Sequence, residues 1–116
     1  MLKPMRWTEV ENESLGPLTE RQFISGGNIT LARFTLRRGA KIARHSHDHE
    51  QFAWVMQGAL RFSLPGQEIV VRAGEVLCIP SQVPHEAEAL EDTIDVDAFS
   101  PARHDWAVKD DAYLRR

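Results

Sequence analysis

Four of the five histidines fall in two places, three in the run His45-Ser46-His47-Asp48-His49 and the fourth at His85. Imidazoles gathered this way suit a divalent metal ion, because each neutral ring offers a nitrogen lone pair. In an extended segment alternate side chains share a face, so His45 and His47 point the same way and place two rings around one ion. Gln51 has the same parity if the intervening residues stay extended, whereas Glu50, the stronger ligand by charge, has the opposite one. A turn in Asp48–Glu50 would break that register, which leaves Glu50 and His49 as reserve ligands.

The glycines around these histidines keep regular distances. Gly39, five residues, His45-Ser46-His47, three residues, Gln51, six residues and Gly58 form one string. Gly74, five residues, Pro80, one residue, Gln82, two residues and His85 form a second. Together they resemble the two motifs of the cupin family, with the usual Glu changed to Gln51. Gln82 stands where a Gly is expected and Ala89 where an Asn is expected. The 15 residues from Ala59 to Ala73 match the short spacing of small single-domain cupins. The resemblance covers about residues 26–100. It implies an all-β double-stranded β-helix, or jelly-roll barrel, as one domain over residues 1–116, with one divalent metal held by His45, His47, Gln51 and His85 inside the barrel mouth.

Three imidazoles and a carboxamide leave the ion its full formal charge, which makes such a centre a strong Lewis acid. Iron redox chemistry more often pairs histidines with a carboxylate, so the Gln points to orienting or polarising a substrate. Zn²⁺, Ni²⁺, Mn²⁺ and Fe²⁺ all accept this donor set.

The segment Thr93–Ser100 alternates Ile94, Val96 and Ala98 against Asp95, Asp97 and Phe99. A polar barrel interior accounts for two carboxylates and an aromatic on one face better than a solvated surface does. The stretch Asp97-Ala98-Phe99-Ser100-Pro101-Ala102-Arg103-His104-Asp105-Trp106, after a His-x-His-x-x-x-Gln centre, resembles the pectin-degradation cupins. That family opens 4,5-unsaturated uronate monomers left by pectin and alginate lyases, giving linear keto-acids. The resemblance implies catalytic roles for Asp97, Phe99 and Arg103: proton transfer, packing against the sugar, and a paired hydrogen-bond clamp on the substrate carboxylate. The alternative for Arg103 is a surface salt bridge to Asp105 or Asp95.

These groups need a scaffold, and from Gly26 to Ser100 the chain reads as short apolar or alternating runs between turn residues, the pattern of a β-sandwich or barrel. Strands are predicted at Asn28–Leu36, Gln51–Met56, Ala59–Leu64, Gln67–Val71, Val76–Ile79, His85–Ala89 and Thr93–Phe99. Leu64-Pro65-Gly66-Gln67 is a hairpin turn, Pro presetting one dihedral and Gly accepting the left-handed one. Residues 8–25 mix charges with Gly and Pro and are expected to wrap the barrel as an irregular arm or an extra strand. A short helix is expected within His104–Leu114, from the spacing of Trp106, Lys109, Asp110 and Tyr113.

Composition excludes several classes. With 116 residues, 42% hydrophobic, 27% charged and a formal charge of -3, the chain has no basic face for nucleic acid and no apolar segment for a membrane. A cytoplasmic location is expected. The lone Cys78, inside Val76-Leu77-Cys78-Ile79, reads as a buried small hydrophobe. If Gln51 faces inward, Phe52, Trp54 and Met56 project outward and need cover, by a second subunit in a homodimer or by a chain terminus. Other readings use the same barrel: a sugar isomerase, a dioxygenase, or a non-catalytic small-molecule or metal-storing module.

Overall fold

The computed structural model describes residues 2–108, 111 and 113–115. In chain order, after a 3₁₀ turn at Trp7–Glu9, come β1 (Glu13–Gly16), β2 (Thr19–Ser25), β3 (Thr30–Leu36), β4 (Lys41–His45) and β5 (Glu50–Gln57). Then follow β6 (Ala59–Leu64), β7 (Gln67–Arg72), β8 (Val76–Ile79), β9 (His85–Ala89), β10 (Thr93–Ser100) and α1 (His104–Ala107). One sheet has the order β1-β2-β3-β10-β5-β8 and the other β4-β9-β6-β7, and the paired strands in both are antiparallel. This is the expected jelly roll, with a short C-terminal helix. Among the described residues no helix is long and apolar enough to cross a membrane.

Period-two alternation builds the core. In β3, Thr30, Ala32, Phe34 and Leu36 turn inward, and in β5 Ala53 and Val55 do so. Phe34, Val55, Leu60, Phe62 and Ile79 meet between the sheets. A side chain of this size contributes roughly 1.5–3 kcal/mol when fully buried. Two turns fix the register. Pro65-Gly66 joins β6 to β7 with Gly66 at φ 71°. Gly58 joins β5 to β6 at φ 86°, and a Cβ there would sit 2.4 Å from the Asp92 carbonyl oxygen and from Thr93 Oγ1.

Four sequence expectations change. Residues 8–25 form two strands, not an arm or one strand: β2 pairs with β3 along its whole length and β1 pairs back on β2. Their pattern hides this because a buried ion network replaces apolar side chains: Arg21, fully buried, bonds to Glu13 at 3.0 Å and to Asp111 at 2.8 Å. β4 is a further strand beyond those expected; it is a bulged edge strand with Lys41 and Arg44 among its five residues. Cys78 is exposed, because β8 is the sheet edge and alternates. α1 is a single turn ending at Ala107, and the expected Lys109 and Asp110 lie outside the described residues.

Candidate metal centre

Three elements converge at one end of the barrel. β4 ends at His45, which lies directly opposite His85, the first residue of β9. The chain then crosses from the four-stranded to the six-stranded sheet through residues 46–49, carrying His47, and re-enters at β5 with Gln51 buried. The extended register from His45 to Gln51 is therefore interrupted, as the turn within Asp48–Glu50 would require. Convergence comes from the crossover rather than from strand parity. One potential ligand atom from each of His45, His47 and His85 lies within 4.8 Å of the others. Of the reserve ligands, Glu50 faces outward, 4.0 Å from Cys78 Sγ, and His49 lies outside this group.

Hydrogen bonds decide which nitrogen each ring presents. His45 Nδ1 lies 2.8 Å from the Ala43 carbonyl, His85 Nδ1 2.8 Å from that of Val83, and His47 Nδ1 3.0 Å from that of His49. A carbonyl only accepts, so each Nδ1 carries the proton and each Nε2 keeps its lone pair. Burial lowers the pKa of His45 and of His47 to about 4, and of His85 too, so the rings are neutral at neutral pH.

Gln51 completes the set. Its Nε2 donates to Asp97 Oδ2 at 2.8 Å, which turns Oε1 toward His47 Nε2 at 3.1 Å. Two lone pairs then face each other, and His85 Nε2 is buried with no hydrogen-bond partner. An unsatisfied buried acceptor costs about 1–3 kcal/mol, and a cation at the centre would satisfy these together. The donor set thus fits a divalent ion, with imidazole and oxygen chemistry suited to a first-row metal.

Behind Gln51, β10 presents Asp95, Asp97 and Phe99 inward and Ile94, Val96 and Ala98 outward. Both carboxyls are almost completely buried, and each has an Oδ1 without a hydrogen-bond partner among the described residues. Desolvation raises Asp97 to about 6, against the hydrogen bonds from Asp95 and Gln51 and the charge of Arg103. Desolvation and then the Asp97 charge push Asp95 well above the carboxylate range. The neighbouring Asp97 also gives a physical reason for a carboxamide at position 51. A carboxylate there would face a carboxylate.

Arg103 lies buried beside this pair. Its Nε and Nη2 grip Asp105 at 2.9 and 2.7 Å, and its guanidinium carbon stands 4.7 Å from the Phe99 ring centre and 4.4 Å from that of Trp106. Burial opposes its charge, but the Asp105 hydrogen bond and the charges around it raise its pKa. The expected ion pair to Asp105 exists, its guanidinium buried and its carboxylate part-exposed at the surface. Sequence reasoning passed over Asp95 as the companion of Asp97, and Tyr113 and Trp106 as parts of the site. The Asp-x-Asp alternation was the available signal for the first.

A cavity of about 30 Å³ lies among His45, Gln51, His85, Asp97, Phe99 and Arg103. A groove of about 790 Å³ runs between the β1–β2 turn and β4, but none of these groups lines it. The chemistry is concentrated in the small cavity.

The sequence model of the cupin domain matches residues 32–100. The structure is similar to KdgF from Halomonas sp., at TM-score 0.79 and 29% identity over 85% of this chain and 94% of that one. It is also similar to an RmlC-like cupin from Shewanella frigidimarina NCIMB 400, at TM-score 0.82 and 28% identity over 88% of this chain and 93% of that one. The polyketide cyclase RemF from Streptomyces resistomycificus, at 22% identity and TM-score 0.73 over 87% and 80% of the two chains, shares the fold. No curated protein matches the sequence. With the matched segment spanning more than half its length, the chain belongs to the cupin domain family.

Proposed function

We propose that this cupin is a metal-dependent enzyme that converts 4,5-unsaturated uronate monomers from pectin or alginate breakdown into linear keto-acids. The carrying observation is the Gln51 to Asp97 hydrogen bond, which couples the ligand set to a buried carboxyl whose pKa rises to about 6. The similarity to KdgF and the tail Asp97–Trp106 support the same reading.

The reaction adds water across an enol ether: a proton goes to C4, a hydroxyl to C5, and the resulting hemiketal opens by breaking its ring C–O bond. A divalent ion held by His45, His47, His85 and Gln51 would supply Lewis acidity at a substrate or water oxygen. Asp97 holds the proton destined for C4, and its burial keeps that proton bound to higher pH than an exposed carboxyl would. Phe99 gives the sugar an apolar face, and Arg103, fixed in place by Asp105, binds the carboxylate. We further propose that the exposed face of Phe52, Trp54 and Met56 meets a second subunit.

Replacing Asp97 by Asn keeps an acceptor for Gln51 and removes the ionisable proton. Loss of the near-ultraviolet absorbance of the conjugated substrate should stop, with metal content unchanged. Undiminished turnover would remove Asp97 from the role.

A further inference from the structure

Tyr113 is the sole tyrosine of the chain, and nothing in the reaction above uses it. Its ring centre lies 4.3 Å from that of His45 at a tilt of 31°, so it covers one side of the candidate metal centre. Its hydroxyl accepts from Arg103 Nη2 at 2.5 Å and from Trp106 Nε1 at 3.4 Å. Arg103 Nη2 carries two hydrogens. One is committed to Asp105 Oδ2, and the phenol takes the other. The bonds to Asp105 hold the guanidinium in place whether or not the phenol is there.

The space left beside these groups, about 30 Å³, admits a water molecule or two. Pockets for organic ligands run from about 300 Å³ upward. A ring-sized group must therefore leave before a sugar acid enters. Tyr113 is only part-buried, unlike Phe99 and Trp106 on the other sides of Arg103. Its flanks are anchored by contacts of their own, Leu114 in the core and Asp111 on Arg21 at 2.8 Å.

We infer that Tyr113 is a place-holder for the substrate: a carboxylate oxygen of the incoming sugar acid replaces its hydroxyl on Arg103 Nη2, and the ring swings off His45 to make room. This inference rests on the uronate reading and adds to it a residue that sets affinity and selects for a carboxylate. An internal competitor taxes binding by the fraction of closed molecules, so removing its hydroxyl should tighten binding without touching the chemical step.

The full chain labelled with 3-fluorotyrosine gives one ¹⁹F resonance. Titration with saturated galacturonate, which cannot react, should shift it, and galactose should not. Tyr113→Phe should lower KM for the unsaturated uronate about fivefold while kcat stays within about twofold. A resonance that stays fixed in galacturonate, or one that moves equally with galactose, overturns the inference. So does an unchanged or raised KM in the variant. If the wild-type protein turns over no unsaturated uronate, the functional reading fails, and the galacturonate titration on unmutated protein still decides the role of Tyr113.

Discussion

Replacing Gln51 by Glu tests whether position 51 is an amide because of its neighbour. Gln51 Nε2 donates to Asp97 Oδ2 at 2.8 Å inside a buried face that also holds Asp95. A carboxylate at 51 loses that donor, a hydrogen bond to a charged group worth about 1.5–3 kcal/mol. It also places like charges in contact, at a cost of about 4 kcal/mol for a 4 Å separation and an effective dielectric of 20. Retaining a proton between the introduced carboxyl and Asp97 is cheaper, so the folded pKa of the pair rises above the unfolded values. Stability is then kept below the unfolded pKa and lost as pH rises through the folded one. The metal-free variant should be about 3–4 kcal/mol less stable than wild type at pH 8 and about 1 kcal/mol less at pH 5. At about 4 °C per kcal/mol, that is about 12–16 °C and about 4 °C in Tm. Thermal unfolding by circular dichroism, with chelator, measures both differences. A deficit that is equal at the two pH values, or larger at pH 5, would refute the argument.

Other perturbations reach the frame around the centre. Gly58→Ala puts a methyl 2.4 Å from backbone at φ 86° and should cost about 3 kcal/mol or more, seen as a fall in Tm of at least about 12 °C. Gln82 occupies the motif-glycine position at φ 69° and bonds to Asp48 through its side chain. Gln82→Ala keeps the left-handed strain and loses the bond, so its Tm should lie below wild type, whereas Gln82→Gly sheds strain of about 1 kcal/mol and should melt above the Ala variant. Trp54, 47% exposed, lies on the outer face beside Phe52 and Met56, and Trp54→Lys should convert a dimer to a monomer in sedimentation analysis. A monomeric wild type would sink that surface. Adding a chelator at pH 7 should lower the Tm of wild type by several degrees, since the inward lone pairs lose their common partner; no change in Tm would count against a bound ion.

The glycine and histidine spacings were legible because they reflect fixed geometric demands. Gly58 has no room for a Cβ and His85 must stand opposite His45, so neither distance can vary. β10 was readable for a similar reason, its alternation giving both faces at once. β1 and β2 were not, since Arg21 is buried with ionic partners from positions 13 and 111, a pairing invisible to hydropathy. Cys78 misled because a four-residue apolar run does not distinguish a central strand from an edge. Tyr113 was out of reach, as its place over His45 depends on how the tail folds back across the barrel.

The main-chain partners of the three inward histidines bear on how this centre can change over generations. Ala43, His49 and Val83 each contribute a carbonyl to a ring two positions away, and their side chains play no part in those bonds. Every amino acid carries the same carbonyl. Substitutions at positions 43, 49 and 83 can accumulate without turning any imidazole around, provided the chain keeps its path. The tautomers are therefore inherited with the backbone, and the side chains at positions 43, 49 and 83 answer only to their own packing, as Val83 does against the core.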